Sequence, residues 1–199
     1  MLKKIGLLAL CGVSAFAMHS VELNINDKDL EFGVKVDMGQ FNEATDPDTV
    51  FLGAKLLHGS KDHSDAKSSS DLNDYYEVNF LMQRKVKSTD LVIGLGVKLN
   101  GTKNYNTFPL GAEASYKLPF GDTMPLFVNG SIYFAPEVLS MQDAKNFLEY
   151  RVGLDLEVIK NGSVTLGYRS LDTNYISGKG YSDDFNYNKS VYIGFKFAF

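Results

Sequence analysis

From residue 21 onward the chain repeats one pattern, in which an apolar position is followed by a polar one or a glycine. Leu30, Phe32, Val34, Val36 and Met38 alternate with Glu31, Gly33, Lys35, Asp37 and Gly39, and Leu91, Ile93, Leu95, Val97 and Leu99 with Val92, Gly94, Gly96, Lys98 and Asn100. A period of two places alternate side chains on opposite faces of a β-strand. Ten such segments occur, at residues 21–26, 30–39, 50–57, 76–83, 91–100, 107–117, 125–134, 148–158, 164–171 and 191–199. Most have the length of about nine to twelve residues that crosses a bilayer at a tilt, whereas strands in soluble sheets are more often five or six residues long. The last, VYIGFKFAF, puts Val191, Ile193, Phe195, Phe197 and Phe199 on one face.

With the C-terminus placed at the inner mouth of a barrel, the connections alternate in kind. The three longest polar loops, 58–74, 135–146 and 170–186, fall on the outer side, as in outer-membrane barrels with short inner turns. The pattern therefore predicts an all-β protein, an antiparallel up-and-down transmembrane barrel of ten strands. Eight is the alternative count, but it discards the first hairpin with its Val21, Leu23 and Ile25. Closing the ring pairs every backbone group, and lipid covers the apolar face.

Residues 1–17 change the inventory. Lys3 and Lys4 precede an apolar stretch, and Ala15 and Ala17 stand before a cut, the layout of an export signal. The apolar part is roughly 12 residues, short of the ~20 a membrane-spanning helix needs. The expected products are a cleaved signal peptide, 1–17, and an outer-membrane barrel, 18–199. Cys11, the single cysteine, leaves with the leader, so no disulfide or thiolate chemistry remains. The mature part keeps 18 basic against 24 acidic side chains, which gives no support to nucleic-acid binding. The chain has no Trp but 11 Tyr and 14 Phe, and these aromatics favour strands.

Tyr133, Phe134, Ala135 and Pro136, followed later by Gly167, Tyr168 and Arg169, resemble the YfaZ-like outer-membrane proteins, with a longer serine-rich loop here at residues 67–70. The resemblance implies an outer-membrane β-barrel and supplies no activity. Phe195, Phe197 and Phe199 on the final strand are similar to the signal by which outer-membrane proteins engage their assembly machinery. The implied partners are that machinery and outer-membrane lipid, with no oligomeric state indicated.

Alternation assigns to the lumen the acids Glu22, Glu31, Asp37, Glu77, Glu113, Glu149, Asp155 and Glu157, and the bases Lys35, Lys55, Lys98, Lys117, Arg151, Arg169 and Lys196. Such a near-balance predicts a salt-bridged, largely filled interior, since an excess of one sign would suggest ion selection. A three-residue turn at 160–162 with Gly162 left-handed would set Asp155 opposite Gly167 and diagonal to Arg169.

Weaker candidates sit on the outer side. His58 and His63 with Asp62 and Asp65 suggest a metal site, although the loop reads more simply as solvated, and neither metal nor cofactor is expected. His58-Gly59-Ser60 is similar to the His-x-Ser of barrel lipid deacylases but lacks an orienting carboxylate in the pattern. Residues 136–146, with Pro136 leading and Val138, Leu139 and Met141 clustered, suggest a short rim helix. The expectation is a non-enzymatic structural or interaction protein of the bacterial outer membrane. A narrow porin-like channel is the alternative, and a lipid-modifying barrel or a soluble periplasmic ligand-binding barrel follow behind it.

Overall fold

The computed structural model describes residues 19–42, 44–66, 72–119, 124–176 and 184–199. The leader segment and the serine-rich loop at 67–70 lie outside the described residues.

Twelve strands form one sheet: β1 (Ser20–Ile25), β2 (Leu30–Asp37), β3 (Val50–His58), β4 (Tyr75–Lys85), β5 (Leu91–Gly101), β6 (Tyr105–Thr107), β7 (Leu110–Lys117), β8 (Leu126–Ala135), β9 (Ser140–Gln142), β10 (Ala144–Ile159), β11 (Gly162–Tyr175) and β12 (Asp184–Ala198). Ten of them close a ring in the order β1-β2-β3-β4-β5-β7-β8-β10-β11-β12, every neighbour antiparallel. β12 returns to β1 over the whole of that strand, from Ser20 opposite Ala198 to Ile25 opposite Ile193. His19 and Phe199 add a reciprocal pair of backbone hydrogen bonds, 3.1 and 2.8 Å, at the seam. Short β6 and β9 pair with each other beyond the ring, at the mouth away from the termini.

At least one large apolar side chain from every ring strand faces outward, among them Leu23, Phe32, Leu52, Phe80, Leu95, Leu110, Ile132, Val152, Leu166 and Ile193. Leu95 is 73% exposed while Leu81 on the inward face of the neighbouring strand is 1% exposed, so the greasy surface is the outside of the barrel. This is the reverse of a soluble barrel, and lipid is the environment that makes it favourable.

Two expectations about connections are corrected. Residues 160–161 make a two-residue turn in which Asn161 takes the positive φ of 63°, and Gly162 is already in β11 opposite Ile159. Asparagine tolerates that backbone region, and a ladder irregularity between Glu157 and Ile159 absorbs the change of parity. The register moves accordingly: Gly153 faces Gly167, Asp155 faces Thr165 and Arg151 faces Arg169. At 136–146 there is no full helix, only a 3-10 turn over Glu137–Leu139 followed by β9. Pairing to β6 competes successfully for that backbone.

β10, β11 and β12 run 16, 14 and 15 residues, longer than the patterned segments within them. Their distal ends rise above the apolar belt as a tall wall. There the polarity inverts: Phe147, Tyr175, Phe185 and Tyr187 point inward and are nearly or fully buried.

If hydrocarbon surrounds the belt, Leu95→Arg should destabilise the barrel in bilayers by about 2–4 kcal/mol. Denaturant titration in vesicles measures this, and the same change should cost little at Val138, which is 86% exposed beyond the ring.

Candidate functional site

The lumen has three levels. At mid-height the ion pairs join into one chain of alternating sign. Lys98 Nζ, from β5, lies 3.0 Å from Glu77 on β4 and 2.9 Å from Glu149 on β10. Glu149 also takes Arg151 Nε at 2.6 Å, and Arg151 Nη1 donates across the lumen to Glu31 on β2 at 2.8 Å. Arg169 from β11 then reaches Glu31 at 3.4 Å and Asp29, in the β1–β2 turn, at 3.3 Å. Four carboxylates and three cations thus cross the barrel in one line, from Glu77 to Asp29. Each has most of its surface withdrawn from water, and alternation of sign limits the desolvation cost.

Neutral groups complete the shell. Asn24 donates to Glu31 at 2.8 Å, Asn79 to Glu77 at 2.7 Å, and Arg169 Nε donates to Asn188 at 2.8 Å. Tyr133 lies beneath Lys98, with the ammonium 3.9 Å from its ring centroid, a cation–π contact. A Cβ at Gly111 would collide with that ring, and one at Gly167 with Tyr192, so these glycines make room for lumenal aromatics.

The predicted lumenal residues divide into groups. Glu31, Glu77, Lys98, Glu149, Arg151 and Arg169 form the crossing chain. Nearer the terminal mouth, Glu22 pairs with Lys55 at 2.5 Å, Lys35 with Glu113 at 3.7 Å, and Lys196 with Asp155 at 2.7 Å. Asp155 therefore meets Lys196 and Thr165 rather than Arg169. Asp37 accepts the N–H groups of Gly39 and Asp48 and ties down the 38–49 connection. Glu157 accepts from the Asn161 N–H at the 160–161 turn, and Lys117 ends β7 opposite Phe127. Phe197 and Phe199 stack at the terminal mouth with centroids 6.4 Å apart, and Phe195 faces outward.

Asp29 and Asn188 lie outside the patterned segments. Asp29 belongs to a turn, and Asn188, in phase with inward-facing Tyr192 and Lys196, adjoins inward-facing Tyr187 where β12 slips phase at a ladder irregularity. Burial raises the Asp29 carboxyl, but hydrogen bonds from Asn188, Asn26 and the Ser60 N–H, with the Arg169 charge, hold it below the ordinary range.

Above the ion chain sits an apolar layer. Tyr75, Tyr105, Phe147, Tyr175, Phe185 and Tyr187 pack with Leu57, Leu171, Ala135 and Ala144, with ring centroids 5.6 to 6.4 Å apart. The described parts of the connection after β3 pack against it. Ala66 and Leu72 pack on the cluster, Ser60 N–H donates to Asp29 at 2.7 Å, and Asp65 exchanges backbone and side-chain bonds with Asn186.

Below the ion chain the lumen is not filled. A cavity of about 510 Å³ occupies the terminal half and is lined by none of the aromatic layer. Several inward positions there are small, among them Ser115, Ser131, Gly153 and Ser163. The expectation of a largely filled interior is corrected for the terminal half, which holds this cavity, while the distal half is packed.

The outer candidates separate. His58 Nδ1 does have a carboxylate, Asp74 at 2.7 Å, but Ser60 Oγ accepts the Asp62 N–H and caps the Lys61–His63 turn; no hydrogen bond joins it to His58 among the described residues. His63 bonds Asp29 at 2.9 Å, Asp62 pairs with Lys28 and Asp65 bonds Asn186. The residues suggested for a metal therefore disperse, and no group of three metal-binding side chains occurs among the described residues.

A family model described as YfaZ precursor matches residues 5–199. The chain belongs to the YfaZ family. Among solved structures, it is similar to the KdgM porin, with 9% identity, 91% of this chain and 98% of that chain covered, and a TM-score of 0.43. It is also similar to the outer membrane protein Omp33 of Acinetobacter baumannii, with 10% identity, coverage of 94% and 100%, and a TM-score of 0.36. No curated protein matches the sequence. At these identities neither structure informs the side chains of this YfaZ lumen.

Removing one member of the crossing chain leaves charges buried without a partner. Lys98→Met should cost about 3–5 kcal/mol, read from unfolding of the detergent-solubilised barrel. Because the Asp29 carboxyl titrates below its unfolded value, its contribution is complete at neutral pH and disappears as pH falls through the lowered value. Near-UV circular dichroism should show a shallower acid limb in Asp29→Asn.

Proposed function

We propose that this YfaZ protein is a non-conducting outer-membrane barrel of structural or interaction type, sealed at its outer end. The observation that carries the reading is the double closure of the distal lumen, an ion chain beneath a layer of six buried aromatics. A water path would have to displace both. The longer distal connections support placing that end at the cell surface and both termini in the periplasm.

In this reading residues 1–17 direct export and are removed, and Phe195, Phe197 and Phe199 on the closing strand engage the assembly machinery. Outer-membrane lipid covers the belt. The catalytic reading loses support because Ser60 Oγ is engaged as a turn cap.

A second reading, a narrow porin-like channel, is favoured by the cavity, which opens half the lumen to solutes. Planar-bilayer recordings separate the two. The wild type should give no steady conductance, and Tyr75, Phe147 and Tyr187 replaced together by Ala should give a stepwise one. Steady conductance in the wild type would establish the channel.

A further inference from the structure

Five cationic and five anionic side chains line the cavity in the terminal half, so its walls carry no net charge. They are not equally committed. Lys98 and Arg151 belong to the buried chain at the blind end. Lys55 on β3 closes on Glu22 of β1 at 2.5 Å, and Lys196 on β12 closes on Asp155 of β10 at 2.7 Å, each reaching past a single strand. Lys35 and Glu113 differ. They come from β2 and β7, with β3, β4 and β5 between them, and reach toward each other across the lumen.

Their charged ends stop 3.7 Å apart, too far for a hydrogen bond. Glu113 Oε1 accepts the Tyr133 hydroxyl at 2.7 Å, and Oε2 is the oxygen turned toward Lys35, whose Nζ lies 5.8 Å from the Phe51 ring centroid. Neither Lys35 Nζ nor Glu113 Oε2 has a hydrogen-bond partner among the described residues, and neither is closed off from water. The two side chains keep 31% and 29% of their surface accessible. Both also stand between short ladder neighbours, Lys35 between Ser20 and Gly53, and Glu113 between Gly94 and Ser131. An accessible ammonium and an accessible carboxylate oxygen therefore face each other over a cavity, and neither is saturated.

We propose that the terminal cavity binds a small zwitterion of the amino-acid type, its carboxylate on Lys35 Nζ and its ammonium on Glu113 Oε2. Laid antiparallel beside the pair, such a ligand completes a ring of four charges in which each has two unlike neighbours, and both new contacts are charge-assisted hydrogen bonds. A lone anion or cation cannot do this. It satisfies one wall group while bringing an uncompensated charge into a neutral cavity, at the cost of its own hydration. The volume of about 510 Å³ restricts the ligand to a small molecule. Entry is from the mouth that carries the termini, and the site does not depend on whether the distal end conducts.

The test uses the full mature barrel in detergent, with glycine as probe, and reads binding by ligand-observed NMR on isotope-labelled glycine. Binding should be saturable. Unlabelled glycine should displace it, whereas acetate and methylammonium, which each carry one of its two charges, should not at the same concentration. Lys35→Gln and Glu113→Gln should each weaken binding about tenfold or more, the factor expected for loss of one charged hydrogen bond. Lys28→Gln, at the opposite mouth, should leave it unchanged. The exchanged double variant, Lys35→Glu with Glu113→Lys, should recover binding, because a zwitterion can turn round. Absence of saturable binding, displacement by acetate or methylammonium as effective as by glycine, or undiminished binding in either single Gln variant would each overturn the proposal. The displacement experiment stands on the wild type alone, so a poorly folded variant does not remove the test, and its outcome is separate from the conductance that tests the distal closure.

Discussion

The pairing of β1 with β12 is the constraint on which the other features rest. An open sheet in hydrocarbon would leave two edges of unpaired N–H and C=O groups, each costing several kcal/mol. Six paired residues of β1, from Ser20 to Ile25, join the first strand to the last, and the His19–Phe199 bonds extend the seam to the terminal residue. Once the ring is closed its exterior faces lipid, and the apolar face of every strand is committed outward. Everything polar on those strands is then forced into the lumen.

That displacement explains the interior. A narrow ring brings charges from distant strands within bonding distance, and unlike neighbours are the arrangement that tolerates loss of water. The crossing chain joins β4, β5, β10, β2 and β11 with the β1–β2 turn, so residues far apart in sequence share one network; Arg151 and Glu31 are 120 positions apart. Beyond the belt the constraint lifts. The upper parts of β10 to β12 return to the ordinary rule of aromatics inside and polar groups outside, and the result is the apolar layer packed above the ion chain.

Legibility in the sequence follows the same division. Within the belt, lipid enforces a strict period of two, so the inward placement of Glu149 and Arg151 could be read directly from Leu148, Tyr150 and Val152 beside them. Above the belt Phe185 and Tyr187 face in while Val191 faces out, so one polarity rule cannot describe both ends of β12. Contacts between strands were less legible than faces. The partner of Asp155 depended on whether Asn161 or Gly162 took the left-handed turn, a choice that shifts the register by two positions. Asp29 reaches the network from a turn, where alternation carries no information. The cavity left its trace in small inward residues such as Ser115, Ser131 and Gly153, whose meaning depends on what stands across the lumen.

The central claim is that lipid, and no second protein layer, covers the outward face. Single cysteines placed along β10 at residues 150, 152, 153, 154 and 155, with Cys11 replaced by Ser, can carry nitroxide labels in the barrel reconstituted into vesicles. Collision with oxygen, which concentrates in hydrocarbon, should be high at Tyr150, Val152 and Leu154 and low at Gly153 and Asp155, with a polar nickel chelate giving the opposite order where it reaches the lumen. Chelate-accessible, oxygen-poor labels at Val152 and Leu154 would place that face in water and contradict the account.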